Sequence, residues 1–584
     1  MASMNLQLAQ MFDRLGEMNL LMGANRFKVI AYEKVARQLK ELEADVGTMS
    51  RSELVALEGV GTGTADRILE FVEHGSMTEY DELAEQIPPG VLEVMHVPGV
   101  GPKSAATFWH EAGVVSLDTL AEKIDSGELQ QLKGFGAKKI ENIKKGMAFA
   151  KQASERKRID VAYAVATRFV DLLRPLDGVA RCEYAGSLRR GLETVGDVDV
   201  LVSLDKGACE GAGEAAREAV FDAFAGAEGV TEVLLRGDTK CSVRVEAGMQ
   251  ADLRIVAAGQ FGAAWMYFTG SKEHNIAMRE RAINQQMRLS EYGLTRDGAD
   301  APFVSDTEEA VFDALGLAWV PPELREDRGE LKLAEKKALP DLIGFDDVVA
   351  ELHAHTTASD GVWSIEELAE AAAARGCHTV AVTDHSKGQV QANGLDARRL
   401  EKHIDDVHRV AEQMRGTIRI LAGSEVDILT DGGLDYSDEL LGRLDIVVAS
   451  PHASLQQDPK TATKRLLRAI ESGHVNVMGH PTGRLVMRRE GLSPDIRALC
   501  RAAAACNVAM EINANAYRLD LRDSHVRIAI EEGCLLSINT DAHGPGNMDA
   551  VRFGVATARR GGARAADVIN TWPRAKLLGW LGVE

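Results

Sequence analysis

The chain has 584 residues, which is enough for several domains rather than one. Its hydrophobic content of 45% and charged content of 27% are typical of globular protein. It has no run of about 18 apolar residues, which excludes a membrane span, and its amphipathic, acid-containing N-terminus is not typical of a signal peptide. The seven scattered cysteines form no CxxC pair, which argues against a cysteine-based zinc site and favours a reducing, cytoplasmic location.

The net charge of −21 argues weakly against a nucleic-acid partner. Phosphate binding is local, however, and residues 131–158 carry nine Lys and Arg against two Glu. This basic segment is either a solvated helix face or a surface for a polyanion.

Three similar segments occur near the N-terminus: LEGVGTGTADRI (57–68), VPGVGPKSAATF (97–108) and LKGFGAKKIENI (132–143). Each has a hydrophobic residue, a Gly-hydrophobic-Gly turn and then a helix-like stretch. Such a turn leaves free backbone N–H groups at a helix N-terminus, which can bind a phosphate oxygen. One such turn can be purely structural, but three together resemble helix-hairpin-helix motifs, which hold DNA by its backbone. The predicted DNA-binding residues are Gly59, Gly61, Gly99, Gly101, Gly134 and Gly136.

The stretch GSLRRGLETVGDVDVLV (186–202) ends in a predicted strand, because valines alternate with other residues. Asp197 and Asp199 lie two apart on the face opposite those valines, so their carboxylates point the same way. A third acid, Asp252, lies on another predicted strand, ADLRIV. Acids can alternate on an exposed strand by chance. Alternatively, the three hold two Mg²⁺ or Mn²⁺ ions, as phosphoryl transfer requires.

The surrounding motifs favour the second interpretation. G-S-x-R-R-G, G-D-x-D-V, the later D-x-R and YFTGSKEHN (267–275) closely resemble the catalytic region of X-family DNA polymerases, over roughly residues 1–320. The resemblance implies a gap-filling repair polymerase acting on gapped or primed DNA with deoxynucleoside triphosphates. It implies that Asp197, Asp199 and Asp252 bind both metals and that Asp252 helps to deprotonate the primer 3′-hydroxyl. The nucleotide-binding residues that it implies are Gly186, Ser187, Arg190, Tyr267, Phe268, Gly270, Asn275 and Arg279.

One position departs from that family. Its lyase activity uses a lysine on the helix of the first hairpin, and Arg67 stands at that place here. Schiff-base chemistry needs a neutral amine, which arginine does not supply. We therefore expect no lyase activity through this helix.

Residues 321–345 are highly charged, begin with Pro-Pro and are predicted to connect two domains. Beyond them, seven short apolar runs alternate with helix-like stretches, and each run ends in polar residues. This pattern predicts parallel β/α units closed into a barrel, with the active face at the C-terminal ends of the strands.

Nine imidazoles and carboxylates follow those predicted strands. Mixed nitrogen and oxygen ligands favour Mn²⁺, Zn²⁺ or Fe over Mg²⁺, and nine ligands exceed the needs of one ion, so we expect a cluster of two or three metals. The predicted ligands are His353, His355, Asp360, His385, Glu425, His452, His480, Asp541 and His543.

The motifs HAH, TDH, SE, PH, GHP and TDAH resemble the PHP (polymerase and histidinol phosphatase) domain, a metal-dependent phosphoesterase with a distorted (β/α)7 barrel. Behind an X-family polymerase, the resemblance implies 3′→5′ exonuclease and related 3′-end processing. Arg484 and Asn513 are further candidates for contact with the scissile phosphate.

The expected organisation is multidomain, with an α-helical DNA-binding region at 1–155 and an α+β nucleotidyltransferase core at 156–320. A linker at 321–345 and the barrel at 346–584 follow. We expect a cytoplasmic monomer that does not bind membranes. Two alternatives stay open: the barrel is a phosphatase for small molecules, or the protein is mainly a DNA-binding repair scaffold.

Overall fold

The structure is a computed structural model that describes residues 4–41, 46–57, 59–97, 99–141, 143–144, 147, 156–205, 212–299 and 301–583. Part of the basic segment 131–158 and Cys209 lie outside these residues. The chain divides into two compact units, residues 1–155 and residues 156–584. None of the described helices combines the length and the apolar character needed to cross a membrane.

The first unit is helical around one hydrophobic core. Serines begin two of its helices: the side chains of Ser50 and Ser116 each accept the backbone N–H three residues on. The labelled helices are α1 (Met4–Leu21), α2 (Arg26–Glu41), α3 (Arg51–Ala56), α4 (Thr62–His74), α5 (Thr78–Gln86), α6 (Pro89–Met95), α7 (Pro102–Ala112) and α8 (Leu117–Asp125).

The second unit begins with the palm, which we define as residues 156–260. Its five-stranded sheet has the order β2-β4-β7-β6-β5, and β4 runs parallel to β7 while the other neighbours are antiparallel. The palm elements are β1 (Lys157–Arg158), α9 (Ile159–Leu173), β2 (Val179–Tyr184), α10 (Gly186–Arg189), β3 (Thr194–Val195), β4 (Asp197–Leu204), α11 (Ala212–Ala225), β5 (Val230–Arg236), β6 (Lys240–Val245) and β7 (Gln250–Ala257).

A small subdomain, residues 261–345, follows the palm and has its own apolar core. In the segment predicted to connect two domains, Arg325 is completely buried and bonds both carboxylate oxygens of Glu308. This segment is therefore built into the subdomain. The elements are α12 (Phe261–Thr269), α13 (Lys272–Asn284), β8 (Met287–Ser290), β9 (Gly293–Arg296), α14 (Glu308–Ala314) and α15 (Glu330–Glu335).

The barrel, residues 346–584, has seven parallel strands in sequence order. An isolated bridge between Ala354 and Ala542 brings its two edges together, so the sheet is nearly closed. Its strands are β10 (Ala350–Ala354), β11 (Thr379–Val382), β12 (Arg419–Asp427), β13 (Ile446–Ser450), β14 (Val477–Met478), β15 (Ala509–Asn513) and β16 (Leu536–Asn539). Its helices are α16 (Ile365–Ala374), α17 (Ala397–Gln413), α18 (Asp438–Leu441), α19 (Pro459–Ile470), α20 (Ile496–Cys506), α21 (Asp523–Glu531), α22 (Val551–Gly561) and α23 (Arg574–Leu581).

The palm and the barrel share apolar packing. Val486, Ala516 and Leu519 of the barrel are buried within the hydrophobic cluster that fills the palm. Burial of apolar surface stabilises such a contact in proportion to the area removed from water. The two parts are thus joined by core packing and by the chain itself.

Candidate active sites

The first site is built on two neighbouring palm strands. Asp197 and Asp199 lie on β4, and Asp199 stands opposite Asp252 in the parallel register of β4 with β7. Oxygen atoms of the three carboxylates lie within 4.8 Å of one another. The alternation of a strand and this register bring together the three acids that the sequence singled out.

The acids differ in how far neighbouring groups stabilise their negative charge. Burial and the neighbouring charges of Asp197 and Asp252 raise the pKa of Asp199 to about 7. Burial also acts to raise the pKa of Asp252, but bonds from Lys240, Ser242 and Gln250 outweigh it and lower that pKa below its ordinary value. Lys240 Nζ lies 2.7 Å from Asp252 Oδ2. The sequence analysis missed Lys240, because only the β6–β7 register places it near Asp252.

This donor set fits hard divalent cations. Each acid offers oxygen ligands, which Mg²⁺ and Mn²⁺ prefer. The raised pKa of Asp199 reflects its burial and the negative charges of its two neighbours. Bound cations would supply compensating positive charge.

The predicted nucleotide residues begin beside the acids. Gly186 has a φ of +68°, and a Cβ at this position would lie 2.4 Å from Asp199 Oδ2, so only glycine fits. The short helix α10 then leads from Gly186 to Arg190. Ser187 lies on this helix, directly after Gly186.

The remaining predicted nucleotide residues lie where α12 meets α13. Arg190 Nη1 donates to the carbonyl of Thr269, and a Cβ on Gly270 would lie 3.0 Å from that nitrogen. Asn275 donates to the carbonyl of Tyr267 at 2.7 Å, and Arg279 to the carbonyl of Asn275 at 3.3 Å. The structure therefore links these residues into one group; Phe268, also predicted, packs edge-to-face on Tyr267.

The neighbouring arginine has a different task. Arg189 is nearly buried, bonds both carboxylate oxygens of Glu308 at 2.6 and 2.8 Å, and stacks 3.3 Å over the Trp265 ring. It fixes the subdomain to the palm.

The three glycine turns of the first unit share one geometry. In each, the first glycine has a positive φ (+78°, +89° and +88°), the middle residue is buried and both glycines are exposed. A helix starts directly after the second glycine, so each exposed turn adjoins a helix N-terminus whose first N–H groups have no partner within the helix; in the second segment the first helical residue is Pro102, which has no N–H. The glycines are Gly59, Gly61, Gly99, Gly101, Gly134 and Gly136, and the buried residues are Val60, Val100 and Phe135.

Arg67, at the predicted lyase position, makes contacts within the helical unit. Arg67 pairs with Glu79 at 2.6 Å and donates to the carbonyl of Gly63 at 2.8 Å. These contacts hold helix α4 to helix α5.

The second site lies at the C-terminal ends of the barrel strands, where the nine predicted ligands meet around three carboxylates. Asp360 lies 3.3 Å from His543 and 3.6 Å from His385. Asp541 Oδ1 lies 3.0 Å from His355 and 3.6 Å from His353.

Glu425 is the most enclosed of these carboxylates. It is completely buried, and ring nitrogens of four histidines lie within 2.7–3.5 Å of its oxygens. These histidines are His353, His385, His452 and His480.

Buried acids hold two of these rings from the far side. Glu511 Oε1 lies 2.7 Å from Nδ1 of His353, and Asp427 Oδ1 lies 2.5 Å from Nδ1 of His452. Although burial opposes it, the charges of Glu511, Glu425 and Asp541 raise the pKa of His353 well above its usual value. Such outer carboxylates fix the ring so that its other nitrogen points inward.

The inward-facing atoms fit metal ions. Among the candidate ligands, six buried atoms have no hydrogen-bond partner within the part of the chain that the structure describes: His353 Nε2, His355 Nδ1, His385 Nδ1, Glu425 Oε2, His452 Nε2 and His480 Nδ1. Buried polar atoms are normally satisfied, so this set is what a cation cluster would complete. The donors are imidazoles and carboxylates, which suit Zn²⁺, Mn²⁺ and Fe.

The two weaker candidates of the barrel differ. Asn513 donates to Asp541 Oδ2 at 3.1 Å and so belongs to the site. Arg484 is buried, and its guanidinium bonds Glu193 of the palm at 2.6 Å and the carbonyl of Leu519. It holds the barrel to the palm, whereas Arg518, which the sequence analysis did not single out, reaches Asp541.

Four family descriptions match separate parts of the chain. "Helix-hairpin-helix domain" matches residues 3–77, and "SAM-like Helix-hairpin-helix tandem" matches residues 91–147. "DNA polymerase beta thumb" matches residues 264–326, and "PHP domain" matches residues 351–515. Together with the observed helical region, polymerase core and nearly closed barrel, they confirm the predicted fold class.

Curated relatives span both halves of the chain. The DNA polymerase/3′-5′ exonuclease PolX of Bacillus subtilis is 37% identical over 94% of this chain and 94% of its own length. DNA polymerase lambda of Rattus norvegicus is 25% identical over 55% of this chain and 56% of its own length. A probable phosphatase of Shewanella sediminis is 31% identical and covers 33% of this chain and 78% of its own length. With two intact carboxylate-rich centres and a full-length relative of this kind, the chain belongs to the X-family DNA polymerases that carry a C-terminal PHP domain.

Proposed function

We propose that the protein fills short gaps in DNA during repair and removes nucleotides from primer 3′ ends. The observation that carries the proposal is that two carboxylate-rich centres, three acids in the palm and nine candidate ligands in the barrel, lie within one compact unit. The proposed domains are the DNA-binding region at 1–155, the polymerase core at 156–320 and the phosphoesterase barrel at 346–584.

In the palm, the residues divide the work of nucleotide addition. Arg190 and the group from Tyr267 to Arg279 orient the triphosphate and sugar of the incoming nucleotide. Lys240 keeps Asp252 ionised, so its carboxylate is available to accept the proton of the primer 3′-hydroxyl. Two Mg²⁺ or Mn²⁺ ions, when bound by the three acids, would stabilise charge on the attacking and leaving oxygens.

In the barrel, the nine ligands would hold two or three Mn²⁺, Zn²⁺ or Fe ions that activate water and stabilise a phosphodiester under attack. Glu511 and Asp427 orient the ligand rings. The exposed glycine turns of the first unit bind DNA phosphates through backbone N–H groups. Such contacts do not depend on the DNA sequence. We propose that the protein is a cytoplasmic monomer.

The test is one gel with a 5′-labelled primer opposite a short gap, with Mn²⁺, with and without deoxynucleotides. We expect Asp197→Ala to abolish extension and keep shortening, and His353→Ala to do the reverse. Glu232→Ala, an exposed acid on β5, is the matched control and should change neither activity. If neither site variant changes the products, the activities come from a contaminant and the assignment fails.

A phosphatase role for the barrel is the second candidate, because it resembles probable phosphatases over most of their length. Release of phosphate from a monoester such as p-nitrophenyl phosphate, without primer shortening, would favour it. A pure scaffold would show unchanged DNA repair after Asp197→Ala.

A further inference from the structure

An arginine reaches the barrel cluster from the loop that follows β15. Nε of Arg518 lies 3.3 Å from Oδ2 of Asp541, whose other oxygen faces His355 at 3.0 Å. The Arg518 side chain keeps 20% of its surface exposed. Across the described residues, its two terminal nitrogens make no hydrogen bond, so they are free to bind a ligand that enters the cluster.

The charge of Arg518 is hard to explain by the ligands alone. The three ligand carboxylates and the outer carboxylates of Glu511 and Asp427 supply five negative charges, so three divalent cations together with Arg518 would leave the loaded site net positive. A guanidinium at its edge adds repulsion at short range. An anion shared between the cations and Arg518 removes that repulsion.

Two other arginines near this loop have fixed partners. Arg484 is buried against Glu193 and the carbonyl of Leu519. Arg489 donates twice to the carbonyl of Gly483, at 3.0 and 2.7 Å. Arg518 is therefore the arginine of this group whose planar terminal nitrogens remain available for bidentate binding.

The palm holds the loop that presents Arg518. Ala516 and Leu519 are buried in the palm cluster on either side of it. The ring of Tyr517 lies under the guanidinium of Arg158, 3.5 Å from its centroid, and Arg158 is itself fixed by both oxygens of Asp160 at 3.1 and 2.9 Å. The backbone around Arg518 is thus anchored, and its side chain is aimed without a loop rearrangement.

We propose that Arg518 binds the non-bridging oxygens of the phosphate that the barrel site cleaves, and that it is a substrate-contacting residue of that site. This rests on the proposed exonuclease function. There, the oxygen of water forms a new bond to phosphorus while the P–O3′ bond breaks. The primer 3′ oxygen leaves with a proton, and a nucleoside 5′-monophosphate is released.

The experiment compares full-length wild type with Arg518→Ala, Arg518→Lys and Arg497→Ala. Arg497 is the matched control, because it is an arginine of the same barrel that pairs with Glu531 at 2.6 Å on the surface. Three quantities are measured: kcat and KM for shortening of a 5′-labelled oligonucleotide, bound Mn per chain, and calorimetric affinity for thymidine 5′-monophosphate.

We expect Arg518→Ala to lower kcat/KM for shortening about 100-fold, as loss of a transition-state donor does. Its affinity for thymidine 5′-monophosphate should fall about tenfold, with Mn content and primer extension unchanged. Arg518→Lys should recover part of the loss, and Arg497→Ala should behave as wild type.

Two results would overturn the proposal. Shortening by Arg518→Ala at the wild-type rate would show that the guanidinium does not touch the phosphate. Loss of Mn from Arg518→Ala would show that it only supports Asp541. If wild-type protein itself fails to shorten primers, the proposed function has failed instead, and the two failures are distinguishable.

Discussion

Arg560 of the barrel donates to the backbone carbonyl of Arg190 in the palm at 2.9 Å. The two side chains also share one acceptor: Glu326 Oε1 lies 3.0 Å from Arg190 Nε and 2.8 Å from Arg560 Nη1. The arginine predicted to bind the triphosphate is thus held by a residue of the subdomain and by a residue of the barrel.

Glu326→Gln tests this arrangement. The amide keeps the shape but loses the charge that holds both guanidiniums, so Arg190 is oriented less well. We expect KM for the incoming deoxynucleotide to rise about tenfold, with kcat changed less. Single-turnover gap filling at varied nucleotide concentration measures both. An unchanged KM would show that Glu326 does not orient Arg190 for nucleotide binding, and a lower KM would show that Glu326 competes with the triphosphate for Arg190.

Asp199→Asn should stabilise the metal-free protein in alkaline solution. The folded pKa of about 7 lies above the ordinary value of 3.8, so the folded state binds more protons between these values. Folding stability from this group is therefore complete below pH 3.8 and is lost as pH rises through 7. The loss approaches about 4 kcal/mol.

We expect the melting temperature of Asp199→Asn in EDTA to exceed that of wild type at pH 8 and to match it near pH 4. Saturating Mn²⁺ should reverse the order at pH 8, because the cation replaces the missing positive charge. Equal melting temperatures at pH 8 in EDTA would show that Asp199 is already compensated.

Glu308→Gln should be strongly destabilising. Glu308 is buried between Arg189 and Arg325, and despite burial, Arg325 and Arg189 hold its pKa far below the usual range. Removing one partner of a buried ion pair costs about 3–5 kcal/mol. Because the folded pKa is depressed, this contribution is present above the unfolded value near 4.5 and lost as pH falls through the folded pKa.

Chemical denaturation of Glu308→Gln and wild type at pH 5, 7 and 9 measures the difference, which should stay constant over this range. Glu335→Gln, in an exposed pair with Arg281 at 3.0 Å, is the control and should cost less than about 1 kcal/mol. If Glu308→Gln lowers the free energy of unfolding no more than the control does, the ion pairs of Glu308 with Arg189 and Arg325 do not stabilise the fold as expected.

Glu511→Gln should weaken metal binding in the barrel and leave the palm intact. Glu511 fixes His353 through Nδ1 and also accepts the backbone N–H of His480 at 2.7 Å. Loss of such an outer carboxylate typically lowers metal affinity about 10–100-fold. Competition with a chelator followed by metal analysis measures it, and gap filling serves as the internal control. Unchanged metal affinity would mean that the ring is held by packing alone.

The sequence reveals the candidate ligands more readily than the residues around them. Asp197 and Asp199 were visible because strand alternation alone places them on one face, and the barrel candidates because they lie near or after the C-terminal ends of apolar strands. Lys240 was not visible, since its contact with Asp252 depends on the register of an antiparallel neighbour. Such registers depend on turns and packing rather than on a local pattern.

The arginines likewise show that a local sequence pattern does not reveal contacts between distant parts of the chain. Arg484 follows the ligand His480 closely in sequence, which suggested a role at the site, but the chain turns it toward Glu193 in the palm. Arg518 lies much farther along the chain and reaches Asp541. Its loop is held by palm residues that no barrel motif contains. The buried Arg325 was likewise hidden, because a charged segment reads as solvated until its partner Glu308 is known.

The apolar contact between palm and barrel, made by Val486, Ala516 and Leu519, has a consequence for how DNA passes between the two active sites. Because palm and barrel share a core, swinging one away from the other would expose that core to water. The primer terminus must therefore move from one active site to the other while the palm and the barrel keep their positions relative to each other. For the same reason, deletion of the barrel would leave exposed apolar surface on the palm rather than yield a smaller working polymerase.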